Sequence, residues 1–273
     1  HYLDFKLRQA WEETGFNPDI IADSDKFPAL NFGNWVGGDR DGHPLVTADV
    51  TGKTLEIFRL HAFLVLKAML DELSEKLSIY CNHDCLPGYF KKRTKELRKE
   101  LGISENINSA EPFKAYLQLI KRKLPISENI SGGIVLNDTP SSYKNSAEPI
   151  ADLHLLKKAL VEFGARSLAV SDVQKVLRHL NVFGFHLARL DIRQNSGHYE
   201  LALLDMIKAS LPEKYETFSG NQSAYNKFIR EELTHNRPFL SRIDMLDSEK
   251  AREVVKTFRT LEKHIRNYSE RTV

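Results

Sequence analysis

Two short segments hold most of the residues whose types and spacing could do chemistry. The first reads Gly37-Gly38-Asp39-Arg40-Asp41-Gly42-His43-Pro44. Its three glycines permit positive φ and close backbone approach, so exposed amides and the flanking charges could be presented to an anion or a metal. It is not a nucleotide loop, lacking both GxGxxG and Gly-Lys-Ser/Thr. It also lacks the acidic spacing and closing glutamate of a calcium loop. The plainer alternative is a tight strand-to-helix connection in which Asp39 and Asp41 cap amides and pair with Arg40. The second segment reads Arg189-Leu190-Asp191-Ile192-Arg193-Gln194. Strand alternation puts Arg189, Asp191 and Arg193 on one face, so Asp191 could hold one guanidinium while the other faces a ligand. An arginine fork suits carboxylate or phosphate because it offers paired donors and stays charged. The alternative is an Arg-Asp-Arg network with no ligand.

Three lesser signals carry less. Cys81-Asn82-His83-Asp84-Cys85 offers two thiols and an imidazole, but no second ligand pair at zinc spacing follows, and a helix end is the better reading. The basic run Lys91 to Glu100, with Lys121-Arg122-Lys123 later, reads as solvated helix faces before it reads as a polyanion site. His61, His154 and His179 lie on helical patterns and receive no role.

The elements that must position these residues are mainly helices. Tyr2 to Thr14 places Leu3, Leu7, Ala10 and Trp11 on one face before Gly15 stops it. From Thr47 the set Val50, Leu55, Phe58, Ala62, Val65, Met69, Leu73 and Leu77 continues for about eight turns, with Gly52 its weak point. Shorter helices are expected over Tyr89–Leu101 before Gly102, Ala110–Leu124 before Pro125, and Glu148–Phe163 before Gly164. Ser146 is the expected cap of the last, and Ser171 with Asp172 opens another. Two segments break the pattern: Leu30 to Gly42, where Phe32 and Trp35 run into the glycine turn, and Phe185 to Arg193, a short alternating strand burying Leu187 and then, after a shift of face, Leu190 and Ile192. Residues 126–145 form the best internal loop. The same helical style on both sides keeps 1–273 a single piece.

Composition bounds the partners. Hydrophobic residues at 41% and charged residues at 28% are those of a folded globular chain. Thirty-nine basic against 37 acidic residues leave +2, too little to announce nucleic acid or an acidic membrane surface. The longest stretch free of charge, Phe27–Gly38, is too short to span a bilayer. Two cysteines fit a reducing compartment, with the cytoplasm as default. The opening His1-Tyr2-Leu3-Asp4 has neither methionine nor an apolar leader and is expected of a processed or excised piece.

Together the two segments resemble a known family. Phe32-Gly33-Asn34-Trp35-Val36-Gly37-Gly38-Asp39-Arg40-Asp41-Gly42-His43-Pro44 with Val46-Thr47 is similar to the F-x-S-W-x-G-G-D-R-D-G-N-P-x-V-T signature of phosphoenolpyruvate carboxylases. Leu190-Asp191-Ile192-Arg193-Gln194, with Ser196 and His198, resembles that family's L-D-I-R-Q-E-S-x-x-H segment, in the same order along the chain. Arg230-Glu231-Glu232-Leu233 with Asn236-Arg237-Pro238 is a softer match to its R-E-L-x-x-x-R-P stretch.

The resemblance implies an enzyme that converts phosphoenolpyruvate and bicarbonate to oxaloacetate and phosphate with Mg2+ or Mn2+, through carboxyphosphate and an enolate. It implies a β-barrel surrounded by helices, with the site at the C-terminal strand ends, usually in a homotetramer. The fold expected here is therefore mainly α, a helix-rich segment of such an α/β barrel with a few short strands. Arg193 corresponds to the family's substrate-site arginine, and Asp39, Arg40, Asp41, Asp191 and Gln194 fall in near-site motif positions. His43 stands where the signature has Asn, and Asn195 and Gly197 replace Glu and usually Arg. The family's T-A-H-P-T-E, Y-S-D-S-x-K-D and G-R-G-G segments do not occur in these residues. The expectation is an internal fragment of a carboxylase that has no catalytic residue or metal ligand of its own and does not turn over. The competing class is a non-enzymatic, carboxylase-like helical module binding anions through the Lys91 to Lys99 face.

Overall fold

The computed structural model describes residues 2–17, 30–41, 43, 45–82, 85–104, 110–218, 221–235, 242–268 and 272–273. In chain order the elements are α1 (Tyr2–Glu13), β1 (Gly33–Asn34), α2 (Ala48–Lys76), α3 (Gly88–Glu100), α4 (Pro112–Arg122), β2 (Ile126–Glu128), β3 (Ile134–Leu136), α5 (Ala147–Phe163), α6 (Arg166–Leu168), a π-helical turn (Ala169–Val173), α7 (Gln174–Phe183), β4 (Arg189–Leu190), α8 (Ser196–Ser210), α9 (Pro212–Phe218), α10 (Gln222–Glu232), a 3-10 turn (Ile243–Met245) and α11 (Glu249–Tyr268). The chain is mainly α, with a few short strands. No helix among the described residues is long and apolar enough to cross a membrane. The chain divides into two compact units, one of residues 1–32 and 57–188 and one of residues 33–56 and 189–273.

The first unit is built on the 57–76 part of α2. Phe63, Leu66, Leu70, Leu73 and Leu77 recur at helical spacing and are all buried. They pack with Phe90 and Leu97 of α3, Phe113 and Leu117 of α4, Leu153 and Leu156 of α5, and Leu177 and Leu180 of α7. Of the expected stripe, Leu55, Ala62, Leu73 and Leu77 are buried, whereas Val50 and Val65 are exposed. Residues 62–66 are all apolar, so the 3.6-residue period admits more than one face and packing selects among them.

A polar cluster sits inside this core. The Asp152 carboxylate, 2% exposed, accepts Arg93 Nε at 2.6 Å and Nη2 at 3.1 Å, and the Tyr143 hydroxyl at 2.7 Å. The Tyr116 hydroxyl donates to the Asp152 backbone oxygen at 3.1 Å. Burial, and then the Asp152 charge, push both tyrosines above their ordinary pKa, so they remain donors. Arg93, expected on a solvated basic face, is thus consumed by this network and by Glu100 at 2.9 Å.

Local signals account for several ends and miss others. Gly164, with φ 97°, closes α5, where a left-handed residue meets no Cβ penalty. Its start is capped by Asn145, not Ser146: the Asn145 side-chain oxygen accepts the Ala147 and Glu148 amides, while Ser146 already has helical dihedrals. Ser171 and Asp172 cap nothing and lie inside the π-helical turn. Residues 126–145 contain an antiparallel hairpin pairing Ile126 with Leu136 and Glu128 with Ile134, turned by Asn129 over Gly133. The segment after β3 is held by Asp138, which receives two hydrogen bonds, of 2.8 and 2.6 Å, from buried Arg59.

The second unit joins β1, residues 48–56 of α2, β4 and α8–α11. α8 packs on α11, with Ala202, Leu246, Ala251 and Val254 at the centre of a small core. Gly52 does not break α2: a Cβ there would lie 3.2 Å from Thr260 of α11, so the missing side chain permits close helix approach.

Candidate functional site

The two chemically suggestive segments meet in the second unit as a short parallel ladder. Gly33 pairs with Arg189 and Asn34 with Leu190, and the Asp191 amide donates to the Asn34 carbonyl at 2.8 Å. The ladder resumes at a bridge between Asp39 and Arg193, closed by Arg40 N to Arg193 O at 2.9 Å and Arg193 N to Gly38 O at 3.0 Å. From Asn34 to Asp39 the first strand uses two more residues than the second does from Leu190 to Arg193. The surplus is taken up by a tight turn in which the Gly38 and Asp39 amides both donate to the Trp35 carbonyl.

Both central glycines are dictated by geometry. Gly37 has φ 86°, and a Cβ on it would sit 2.1 Å from Thr54 Oγ1. A Cβ on Gly38 would sit 2.1 Å from the Asp191 carbonyl oxygen, so only glycine lets the two strands approach. The alternating strand expected over Phe185–Arg193 shrinks to Arg189–Leu190, because Gly184 and Leu187, with φ 52° and 63°, turn the chain just before it. Leu190 is buried as expected, while Leu187 and Ile192 are only half-buried.

Alternation then decides what each side chain meets. Arg189, Asp191 and Arg193 share an exposed face. Arg193 Nη2 donates to Asp191 Oδ2 at 3.1 Å, and its guanidinium lies 5.9 Å from the centre of the Trp35 ring. Asp191 therefore holds Arg193, and Trp35 backs it, a contribution the aromatic pattern had not singled out. Arg193 remains 56% exposed on its side chain and can still meet an anion.

Arg40 turns to the other face. Its Nη2 donates to Thr51 Oγ1 at 2.6 Å, and the Thr51 hydroxyl donates to the Gly37 carbonyl at 2.7 Å. Arg40 Nε and Nη1 are buried with no partner among the described residues. Burial lowers the Arg40 pKa and the charges of Glu253 and Tyr199 oppose that, leaving an arginine that stays protonated at any physiological pH. Asp41 is exposed just past the ladder, and Gly42 and Pro44 of the same motif lie outside the described residues.

Gln194 and Asn195 serve the start of α8. Gln194 Oε1 accepts the Asn195 amide at 2.9 Å and His198 Nδ1 at 3.1 Å, and the Asn195 side chain accepts the Gly197 amide at 2.9 Å as the N-cap. The replacement of the signature's Glu by Asn195 thus leaves a working cap. Of the softer third match, Arg230–Leu233 lies at the end of α10, and Asn236, Arg237 and Pro238 fall outside the described residues.

The remaining signals belong to the first unit. Cys81 and Cys85 are free, Cys81 half-buried and Cys85 exposed, and His83 lies outside the described residues. Burial, and then Cys85, push the Cys81 thiol up. His179 packs 4.8 Å from Phe183, and burial takes its pKa down to about 4, so it is uncharged at neutral pH. No group of three His, Cys, Asp or Glu among the described residues could hold a metal ion, and Asp191 carries Arg193.

The comparisons agree with the motif reading. The family described as phosphoenolpyruvate carboxylase matches residues 7–273. Relatives named phosphoenolpyruvate carboxylase include one from Rhodopseudomonas palustris, 31% identical over 84% of this chain and 24% of the relative. Another from Trichormus variabilis is 29% identical over 85% of this chain and 23% of the relative, and one from Methylorubrum extorquens is 31% identical over 85% and 25%. The chain thus spans about a quarter of the length of the curated relatives it matches. With the match running over nearly all its residues, and both signature segments folded into one ladder, the chain belongs to the phosphoenolpyruvate carboxylase family.

Proposed function

We propose that this chain is an internal part of a phosphoenolpyruvate carboxylase, which carboxylates phosphoenolpyruvate with bicarbonate to give oxaloacetate and phosphate, and that the ladder forms part of its anion-binding wall. The observation that carries this reading is Arg193: a guanidinium fixed by Asp191, backed by Trp35 and open to an anion, within the family's L-D-I-R-Q segment. The two substrates bring three anionic groups between them. As negative charge moves from the phosphoenolpyruvate phosphate to carboxyphosphate and the enolate, fixed cations stabilise it without having to reorganise. Arg193 supplies one on the open face of the ladder. Arg40, held by Thr51 on the other face, adds a second fixed positive charge to the ladder.

The parallel pairing of β1 with β4 supports placing them as neighbouring strands of the family's α/β barrel, with the ladder's C-terminal end as the site. The resemblance further supports a homotetramer using Mg2+ or Mn2+, with ligands supplied by other parts of the enzyme, and the low cysteine usage fits the cytoplasm. The catalytic histidine and lysine segments do not occur in these 273 residues. The chain alone is therefore expected to form no oxaloacetate from phosphoenolpyruvate, bicarbonate and Mg2+ in a malate dehydrogenase-coupled assay, whereas a longer polypeptide carrying those segments does. Turnover by the chain alone contradicts the reading.

A further inference from the structure

We propose that Thr51 is a positioning residue of this site, acting through Arg40. The inference rests on the carboxylase reading and adds to it a residue outside both signature segments. Thr51 is 0% exposed, on the first turn of α2. Its single hydroxyl accepts from Arg40 Nη2 at 2.6 Å and donates to the Gly37 carbonyl at 2.7 Å. One oxygen thus ties the guanidinium to the glycine turn whose next residue, Gly38, carries the strand bridge. The only other hydrogen bond made by the guanidinium among the described residues is a long one, Nη2 to the Thr47 carbonyl at 3.4 Å. Both bonds use the same nitrogen. Thr51 therefore fixes the rotation of the guanidinium plane, with Nε and Nη1 buried and without a partner among the described residues. An arginine that kept a free choice of rotamer would spend part of its binding energy on ordering.

The test is a double-mutant cycle in the full-length carboxylase that contains this chain, with kcat and KM for phosphoenolpyruvate and the thermal midpoint measured for each variant. Thr51→Val keeps the shape and removes the hydroxyl. It is expected to lower kcat/KM about 10- to 100-fold, the usual range for a hydrogen bond to a charged group. Thr51→Ser, which keeps the oxygen, is expected to stay within about twofold of the wild type. In an Arg40→Ala background Thr51→Val should change kcat/KM by no more than about twofold, because the group it orients is gone. Equal losses in both backgrounds would show a role in folding alone and overturn the proposal, as would a Thr51→Val enzyme of normal rate beside an impaired Arg40→Ala enzyme. A normal rate for Arg40→Ala would instead remove Arg40 from the site, and the carboxylase reading of this arginine would fail with it.

Discussion

Gly38→Ala is expected to separate the ladder and lower the unfolding free energy of the second unit by about 3–5 kcal/mol. The new Cβ would stand 2.1 Å from the Asp191 oxygen and 3.0 Å from its carbonyl carbon, and both are backbone atoms that no rotamer change can move aside. Relief requires the strands to part, which breaks the two hydrogen bonds joining Gly38 and Arg40 to Arg193. Each is worth about 1 kcal/mol, and overpacking adds about 1–3 kcal/mol. Gly33→Ala is the internal control. A Cβ there meets nothing within 4 Å, so its cost should stay within about 0.5 kcal/mol. Urea unfolding of the two variants side by side checks the difference, and equal midpoints would refute the close approach.

Asp152→Ala should cost about 3–5 kcal/mol in the first unit, because it takes the carboxylate from a half-buried Arg93 and leaves the buried Tyr143 hydroxyl facing a void. Arg93 would lose both hydrogen bonds to the carboxylate, and the Tyr143 hydroxyl its acceptor. Tyr143→Phe removes one donor and leaves Arg93 paired, so it should cost only about 1 kcal/mol. The ratio of the two effects is the informative quantity. A loss for Asp152→Ala no larger than for Tyr143→Phe would mean that the carboxylate does not hold the cluster together.

The helices were legible because their apolar spacing and their glycine and proline stops are local properties. Gly102, Pro125 and Gly164 end α3, α4 and α5 within a residue or two of expectation. The shared face of Arg189, Asp191 and Arg193 was legible for the same reason, since alternation needs only a strand. What sequence could not show was selection among local alternatives. Asn145 and Ser146 are both competent caps, and dihedrals decide for Asn145. Several stripes of α2 are apolar, and packing buries Phe63, Leu66 and Leu70. Thr51 carried no signal, because a threonine on a helical pattern gives no hint that Gly37 and Arg40 converge on it from the preceding turn. Trp35 did carry one, as an aromatic beside a glycine turn, but its partner Arg193 lies far along the chain.

The ladder's purpose, on this account, is to hold a cation where the substrate's charge shifts. The most direct test is the kinetics of Arg193→Ala in the full-length carboxylase. The guanidinium is half-exposed and, among the described residues, forms an ion pair with Asp191 alone, so removing it should leave the thermal midpoint nearly unchanged. The value of kcat/KM for phosphoenolpyruvate should nevertheless fall by about 10²-fold or more, the usual loss for an electrostatic donor. A variant that folds normally and turns over at a near-normal rate would contradict the assignment of this strand to the substrate site.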